Sequence, residues 1–497
     1  MVVPIRTWAA LVALVGVAGV WAANPGFVVR ISQKGLDYAR QESIVALEKE
    51  LLKINLPDFS GSFKIKHFGK GHYDFNSLEI NNFRLPTSQI SLLPGQGLRV
   101  AMSNAFIQVS GHWKARKNFI KLNGSFNLKV EGLSIMTDLH LGSDQNGRPT
   151  VSASACNSQI SNVKVHISGR LSWILNLFHK KIESRFRKSM EGKICEKVMS
   201  AARSKLQPYL QTLPVTAKID KVAGIDYALV HPPKSSASTL DVGLKGEFFN
   251  LNQRSPPPFA PPELNFPPAS DRMAYFGVSD YFFNTAFSVY HKAGALRLSV
   301  SDDMIPKESK IRLNTASFGG LIPQLAKTYP NVAMKLVVST AAAPSLSIRP
   351  GSLNLGPDLD VEALALPPNA SEVPLFLLGL STNASVEVGV RGANIFGSTK
   401  LGRLNLELKQ SSVGPFSVTL LEAVMNFYVS QVLLPKANER LEKGFPLPLF
   451  QKLQLSNLVL QPLQVRRTPS PLPTVPQPPP PTPRDPPRCP GALEDSV

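Results

Sequence analysis

The stretch WILNLFHKKIESRFRKSMEGKICEKV, from Trp173 to Val198, carries two patterns on one segment. Apolar residues return at every fourth position, which on a helix makes a slowly winding stripe, and they are Ile174, Phe178, Ile182, Phe186, Met190, Ile194 and Val198. The basic residues between them are Lys180, Lys181, Arg185, Arg187, Lys188, Lys193 and Lys197. The spacing predicts a helix from Leu171 to about Leu206 that either enters membranes or closes a barrel with its charge outward.

The sequence before this helix changes its hydrophobic period from helical to alternating. Residues 33–54 predict a first amphipathic helix, because their apolar residues fall at helical spacings. Later segments alternate apolar and polar residues between Gly, Asn and Pro turns, namely SFKIKHF, FNSLEINNFRL, LRVAMSNAFIQVSGHW, FIKLNGSFNLKVEGLSIMTDLHLG and SNVKVHISGR. This pattern predicts a meander of antiparallel strands with one face on a core and the other in water.

The second half of the chain repeats this order. Residues 254–270 hold seven Pro in 17 residues, which is typical of an extended linker. A helix in 278–294, alternating strands over 295–412 and a long amphipathic helix in 415–444 follow it. We therefore predict an α+β protein with a duplicated fold, in which long helices close a curled sheet in each half. The predicted domains are residues 23–230, a linker at 231–270, residues 271–465 and a Pro-rich, solvated tail at 466–497.

The amino-terminal residues indicate export. Residues 1–22 combine a basic residue, an apolar run and small residues before a cleavage point, which predicts a secretory signal peptide. Export makes Cys156 and Cys195 candidates for a disulfide that closes a loop of about 40 residues, worth about 4 kcal/mol. Cys489 is left to pair between chains or to stay free. The glycosylation sequons begin at Asn123, Asn369 and Asn383.

The charge of the chain is unevenly distributed. The formal net charge is +19, and residues 23–230 hold 29 Lys and Arg against 15 Asp and Glu. Residues 231–497 hold 24 against 20 and are nearly neutral by comparison. Such a basic first half indicates a polyanionic partner, which the charge alone leaves open between nucleic acid, a heparin-like glycan and an anionic lipid surface. A generic basic secreted protein is the alternative.

Motifs of catalysis are missing from the sequence. It has no G-x-S-x-G elbow, H-E-x-x-H pair, EF-hand loop or Walker loop, and GQGLRV at Gly95 lacks the third glycine of a dinucleotide fingerprint. His67 and His72 flank a glycine turn, but no carboxylate or Cys stands at zinc spacing beside them. We expect neither an enzyme nor a metal site nor a dedicated cofactor.

Basic and aromatic residues occur together at two predicted hairpins. FKIKHFGKGHY supplies the first set of cations, and GHWKARKNFIK supplies the second beside Trp113 and Phe119. Cations at turns between strands would meet phosphates, while the two aromatic side chains could enter an acyl layer. The alternative is that hairpin ends are Lys-rich for solubility. Aromatics at stacking intervals on an exposed face, which nucleic acid would require, are not evident. The candidate cations are Lys64, Lys66, Lys70, Lys114, Arg116, Lys117 and Lys121.

Several long segments resemble one known family. They are NPGFVVRISQKGLDYA, FKIKHFGKGHYDF, LFHKKIES, ICEKV, KLQPYLQTLPVTAKID, PPPFAPP, SDYFFNTA, DDMIPKESK and KGFPLP, spread over residues 23–465. Together they are similar to the family that comprises bactericidal/permeability-increasing protein, lipopolysaccharide-binding protein and the plasma lipid-transfer proteins. The resemblance implies an elongated boomerang of two similar barrels, each a twisted antiparallel sheet with two helices, joined by a central sheet. It also implies an apolar pocket for phospholipid in each barrel.

The resemblance further implies a function for the basic half. It suggests binding of the lipid A part of lipopolysaccharide, damage to Gram-negative outer membranes, neutralisation of endotoxin and storage in the neutrophil granule lumen. Lys64, Lys70, Lys114, Lys117 and Lys121 match the cationic end of the family's first barrel, and the two cysteines match its disulfide. The surplus of 14 positive charges in residues 23–230 favours the bactericidal members over the plasma carriers. A lipid carrier without killing, and a binder of heparin or nucleic acid, are the competing hypotheses.

The sequence departs from the family pattern in two places. After about Val465 the Pro-rich tail with Cys489 replaces the family's usual final strand, and SASAC provides Cys156 without a second nearby cysteine. With the family fold as a guide, we expect the helix from Leu171 to lie along a barrel, its stripe on the sheet and its charge in solvent. Insertion of that helix into a membrane is the alternative.

Overall fold

The amino-terminal half forms a curled antiparallel sheet closed by helices. The protein is described here by a computed structural model, which covers residues 24–65, 69–117, 119–168, 179–268, 271–305, 307, 312–391, 394–443, 445–446 and 459–463. The elements of this half are β1 (Phe27–Ser32), α1 (Gln33–Leu51), β2 (Phe59–Ile65), β3 (Gly69–Arg84), β4 (Thr87–Leu93), β5 (Gly97–Lys117), β6 (Ile120–Ser143), β7 (Pro149–Ile167), α2 (His179–Ala201), a π-helical turn (Ala202–Leu206) and α3 (Gln207–Gln211).

The first sheet has the strand order β2-β3-β5-β6-β7, and β4 pairs with β5. Its strands alternate as predicted, so that the side chains of Phe75, Trp113 and Phe126 lie in the core while their neighbours face solvent. We call this sheet with α1 and α2 the amino-terminal lobe. The predicted start of α2 at Leu171 lies outside the described residues, as do the predicted signal peptide 1–22 and the tail 466–497 with Cys489.

The apolar stripe of α2 packs on the sheet. Ile182, Phe186, Met190, Ile194 and Val198 are all buried in the same core cluster as the strands. The expectation that this helix lies along a barrel is therefore confirmed for the part of it that the structure describes. A disulfide joins Cys156 on β7 to Cys195 on α2, with 5.6 Å between their Cα atoms.

Side chains of α2 also reach both edge strands of the sheet. The Glu191 carboxylate accepts the backbone N–H of Ile160 on β7 at 2.8 Å, and the Glu191 carbonyl accepts the Ser158 hydroxyl at 2.7 Å. At the other edge, the Arg185 guanidinium donates to the carbonyl of Ser60 on β2. Edge strands expose unpaired backbone groups, and the helix covers part of both edges.

Short strands connect the two halves. They are β8 (Thr216–Lys218), β9 (Ala223–Asp226), β10 (Lys234–Ser235), β11 (Thr239–Leu244), β12 (Glu247–Asn250) and β13 (Ala274–Val278). One central sheet has the order β10-β11-β1-β13 and another the order β12-β9-β8. The prediction of a linker at 231–270 is therefore wrong for β10, β11 and β12, which pair with other strands in the central sheets.

The described residues of the Pro-rich part, 254–268, form no strand but are held on the protein. The Arg30 guanidinium lies 4.6 Å over the ring of Phe266, and Asn24 donates to the carbonyl of Pro261 at 3.3 Å. Phe259 packs edge-on against Tyr281 at 5.7 Å. Pro lacks a backbone N–H and cannot join a sheet, but its carbonyls still accept hydrogen bonds from side chains.

The carboxy-terminal half, our carboxy-terminal lobe, contains two five-stranded sheets, β14-β15-β18-β19-β22 and β16-β17-β20-β21-β23. Its elements are α4 (Asp280–Lys292), β14 (Arg297–Val300), a 3-10 turn (Asp302–Met304), α5 (Thr315–Gly319), α6 (Pro323–Thr328), β15 (Ala333–Thr340), β16 (Ser345–Arg349), β17 (Ser352–Gly356), β18 (Asp358–Leu366), β19 (Val373–Ser381), β20 (Ala384–Arg391), β21 (Asn394–Leu401), β22 (Asn405–Ser411), α7 (Thr419–Tyr428), a π-helical turn (Val429–Leu433), α8 (Leu434–Lys443) and β23 (Phe445–Pro446). The predicted helices and strands are present, and α5 and α6 interrupt the region predicted as strands.

Candidate functional site

Two hairpins bring the predicted cations to one end of the first sheet. β2 pairs with β3 so that Lys64 lies directly opposite Lys70, and β5 pairs with β6 so that Arg116 lies opposite Lys121. Lys114, two residues before Arg116 on β5, lies on the same face. Opposite residues in antiparallel strands project from the same face, with their Cβ atoms about 5 Å apart.

All five side chains lie on the solvent side of the sheet. Lys64, Lys70, Lys114, Arg116 and Lys121 are exposed, while the alternating residues Trp113 and Ala115 are buried. Strand β3 also pairs with β5, and in that pairing His72 lies opposite Arg116. We call these five cations the cationic face.

The cationic face carries little opposing charge. Asp74 on β3 lies opposite Lys114, and its Oδ2 is 3.6 Å from Nη2 of Arg116. Like charges directly opposite each other on a sheet are destabilising, and both the Lys64–Lys70 and the Arg116–Lys121 pairs are of this kind. One carboxylate among five cations leaves a strongly positive surface that suits phosphate groups.

The remaining predicted cations lie elsewhere. Lys117 continues the inward alternation of Trp113 and Ala115 and is partly buried at the end of β5. Lys66 lies outside the described residues. The sequence places His72 beside a glycine turn and does not assign it to the site. Its pairing with Arg116 depends on the register between β3 and β5, which no local sequence pattern marks.

The two aromatic residues that were predicted to contact a membrane differ in their exposure to solvent. Phe119 stands at the turn between β5 and β6 with its side chain wholly exposed, at 101% of the reference area. Trp113 is completely buried, at 0%, and its indole N–H donates to the Ser168 carbonyl at 2.9 Å. The prediction that Trp113 contacts a membrane is therefore wrong, because it occupies the inward position of an alternating strand.

The predicted sequons lie on the surface of the protein. Asn123 is on β6, directly opposite Lys114, and is exposed. Asn383 lies between β19 and β20 and is exposed. Asn369 is exposed in a turn and has a positive φ of 66°, a conformation that Asn adopts more readily than most residues.

A polar cavity of about 730 Å³ lies near the central sheets. Asp226 is buried there and accepts from Lys245 at 3.3 Å and from Arg254. Arg254 also lies 4.4 Å over the ring of Phe249. The lining is too charged for acyl chains, so this cavity is not the apolar pocket that the family resemblance implies.

The described residues contain neither a metal-binding cluster nor a helix suited to spanning a membrane. No group of three or more His, Cys, Asp or Glu in this part of the chain could hold a metal ion. No helix in the same residues is long and apolar enough to cross a membrane.

The comparisons with known proteins cover most of the chain. The amino-terminal domain of the LBP/BPI/CETP family matches residues 35–209, and the carboxy-terminal domain of that family matches residues 217–466. Human lipopolysaccharide-binding protein is 48% identical over 88% of this chain and 91% of its own length. Rat bactericidal permeability-increasing protein is 46% identical over 92% of this chain and 95% of its own length.

A solved structure shows the same fold. The crystal structure of lipopolysaccharide-binding protein aligns with 89% of this chain and 99% of its own, with 45% sequence identity and a TM-score of 0.57. This agrees with the expected arrangement of two lobes built from curled antiparallel sheets and helices.

Proposed function

Because the chain belongs to the LBP/BPI/CETP family, we propose that its amino-terminal lobe binds the phosphorylated lipid A part of lipopolysaccharide through the cationic face. Relatives at 46–48% identity are named lipopolysaccharide-binding protein and bactericidal permeability-increasing protein. The observation that carries the proposal is the strand register, which collects five cations on one face at one end of one sheet. The protein acts as a binder rather than as an enzyme, and nucleic acid is not its partner.

The mechanism follows from the chemistry of the face. Ammonium and guanidinium groups bind phosphate oxygens through charge-assisted hydrogen bonds. Each such cation near an anionic surface contributes on the order of 1 kcal/mol. Cations that hold lipid A phosphates displace the divalent ions that bridge neighbouring molecules, and this disrupts the Gram-negative outer membrane and neutralises endotoxin.

Apolar contacts complete the proposed binding. The exposed ring of Phe119 beside the face enters the acyl layer, since an aromatic side chain at a membrane boundary is stabilised by partial burial. A phospholipid occupies an apolar pocket in each lobe. In the amino-terminal lobe, Tyr38 and Val45 are more than half exposed on one face of α1, which supplies apolar surface for such a lipid in that lobe. The disulfide between Cys156 and Cys195 supports a secreted protein, with the neutrophil granule lumen as its proposed store.

A charge-reversal experiment tests the proposal. The triple variant Lys114→Glu, Arg116→Glu, Lys121→Glu should lose lipopolysaccharide binding and keep its unfolding midpoint, because all three side chains are exposed. The matched control reverses Lys218, Lys221 and Lys327, which are exposed and lie on β8, just after it and on α6, outside the first sheet. Unchanged binding by the triple variant, or equal loss in the control, would refute a role for this surface.

A second candidate is a carrier that moves lipopolysaccharide or phospholipid between particles without killing. The 48% identity to a lipopolysaccharide-binding protein is close to the 46% identity to the bactericidal relative. Bacterial survival separates the two functions. A carrier binds lipopolysaccharide and leaves Gram-negative cells viable, whereas a bactericidal protein lowers their survival at the same occupancy.

A further inference from the structure

One glycosylation sequon lies within the cationic face. Asn123 is directly opposite Lys114 across β5 and β6 and comes two residues after Lys121. Opposite Cβ atoms are about 5 Å apart, and residues two apart on a strand are about 7 Å apart. Whatever is attached to Asn123 therefore stands between these two lysines.

The local structure keeps the acceptor amide outward. A Cβ at Gly124 would meet the Ser168 carbonyl at 2.1 Å and the Trp113 indole nitrogen at 2.7 Å, so the middle residue of the sequon packs against the core without a side chain. Asn123 and Ser125 on either side of it are exposed. The acceptor side chain is thus exposed in the folded protein, so that a glycan attached to it can extend into solvent.

The compartment is also suitable. The disulfide between Cys156 and Cys195 belongs to an oxidising, extracellular route, and N-linked glycosylation of Asn-x-Ser occurs on exported chains. A glycan is bulky and strongly hydrated, so it would hold a phosphorylated surface away from the neighbouring cations.

We propose that Asn123 carries an N-linked glycan that covers part of the cationic face and weakens its binding to phosphorylated lipid. Glycosylated and unmodified chains are then two forms of one protein with different affinities for anionic membranes. The weakening rests on the proposed function of this face, whereas the presence of the glycan does not.

The test compares full-length chains secreted from mammalian cells. Asn123→Gln removes the acceptor and keeps an uncharged amide, whereas enzymatic removal of the glycan by an amidase would leave an aspartate and place a new negative charge opposite Lys114. Ser125→Ala removes the sequon a second way, and Ser125→Thr retains it. Asn383→Gln, an exposed sequon position in the carboxy-terminal lobe, is the matched control.

We expect glycopeptide mass spectrometry to find the glycan on Asn123 in the parent and in Ser125→Thr. Both sequon-deficient variants should bind phosphatidylcholine vesicles containing phosphatidylglycerol, and separately lipopolysaccharide, about 30-fold more tightly than the parent. This fold-change corresponds to uncovering two cations, because each cation near an anionic surface contributes on the order of 1 kcal/mol to binding. Asn383→Gln should bind like the parent.

Three results would overturn the inference. If Asn123 is unmodified in the secreted parent, there is no glycan to act. If the glycan is present and its loss leaves affinity unchanged, while reversal of Lys114 and Lys121 abolishes binding, the shielding is wrong and the proposed function stands. If unmodified chains do not bind either ligand, both the shielding and the proposed function fail.

Discussion

At the scale of single residues, the arrangement of like charges is the most informative feature of the amino-terminal lobe. Lys64 faces Lys70, and Arg116 faces Lys121, across neighbouring strands. Such pairs destabilise a sheet, and a solubility role would be served equally well by cations spaced apart. Their placement side by side favours a surface selected for an anionic partner over a generic Lys-rich hairpin end.

The two aromatic residues near this surface should respond in opposite ways to mutation. Phe119→Ala removes a wholly exposed ring, so stability should change by less than about 0.5 kcal/mol while binding to lipopolysaccharide monolayers falls. Trp113→Phe removes an indole that is buried and hydrogen-bonded, so it should cost about 1–3 kcal/mol of unfolding free energy without loss of binding by the folded fraction. Urea unfolding and monolayer insertion measure the two effects. Destabilisation by Phe119→Ala would contradict this assignment.

The burial of Trp113 could have been predicted from the sequence. Trp113 and Ala115 alternate with Lys114 and Arg116, so an alternating strand with its lysines in solvent must bury the tryptophan. The composition of the hairpin suggested a membrane anchor, but the period of the strand determines the direction of each side chain. Phe119 lies in the turn between strands, where this constraint ends.

At the scale of elements, helices in both lobes bind the backbone of sheet edges through side chains. In the amino-terminal lobe, Glu191 accepts from Ile160. In the carboxy-terminal lobe, the Asn438 amide both accepts from and donates to the backbone of Thr399, at 2.7 and 3.0 Å, on the part of β21 that extends beyond its short pairing with β23. Asn426 makes the same pair of bonds to Leu404, at 2.9 and 3.0 Å. Such side chains replace a missing neighbouring strand.

Removal of one of these contacts should destabilise the edge strand that it holds. Glu191→Ala leaves the Ile160 N–H without its carboxylate acceptor, so we expect a loss of about 1–3 kcal/mol of unfolding free energy and faster hydrogen exchange at Ile160. Glu196→Ala is the matched control on the same helix, because Glu196 is exposed and its carboxylate pairs with Lys193 of that helix, at 2.6 Å. Equal stability of the two variants would contradict a clamping role for Glu191.

The sequence predicted the type of most elements but not how they fit together. Alternation identified the long strands, and the four-residue spacing identified the buried stripe of α2. The register of the cationic face depends on bulges, as between Asn76 and Glu79 on β3, and no local pattern marks them. The contacts that hold the Pro-rich segment come from residues such as Asn24, 237 positions away from Pro261.

At the scale of the whole molecule, the central sheets and their hydrogen bonds join the halves. β1, from the start of the described chain, pairs with both β11 and β13. The Tyr290 hydroxyl on α4 donates to Asp220, between β8 and β9, at 2.7 Å. Tyr281 on α4 likewise donates to Glu247 on β12 at 2.6 Å. Helix α4 is thereby attached to the central strands by two phenol–carboxylate contacts.

One of these contacts should make stability depend on alkaline pH. Burial, and then the hydrogen bond to Asp220, raise the pKa of Tyr290 from 10.0 to about 12. Tyr290 ionises at lower pH in the unfolded chain than in the folded protein. Its contribution to the unfolding free energy is therefore complete below about pH 10 and is lost as pH rises towards 12. Tyr290→Phe should therefore reduce the fall in unfolding free energy between these pH values, measured by urea unfolding. An identical pH profile in the variant would contradict the contact.

The same contact should also make stability depend on acidic pH. The backbone N–H of Ala223, and then the Tyr290 hydroxyl, lower the pKa of Asp220 below its ordinary value of 3.8. The contribution of Asp220 to the unfolding free energy is present above pH 3.8 and is lost as pH falls through the lowered pKa. Near neutral pH both groups are in their favoured forms, so the attachment of α4 should be unaffected there.

The most direct test of the central claim is the affinity of the protein for lipid A with and without its phosphate groups, measured over a range of salt concentrations. If the cationic face holds phosphates, removal of the phosphates should weaken binding by at least about 100-fold, since several cations each contribute on the order of 1 kcal/mol. Binding to phosphorylated lipid A should also weaken as salt rises. Equal affinity for both lipids, without dependence on salt, would contradict the account.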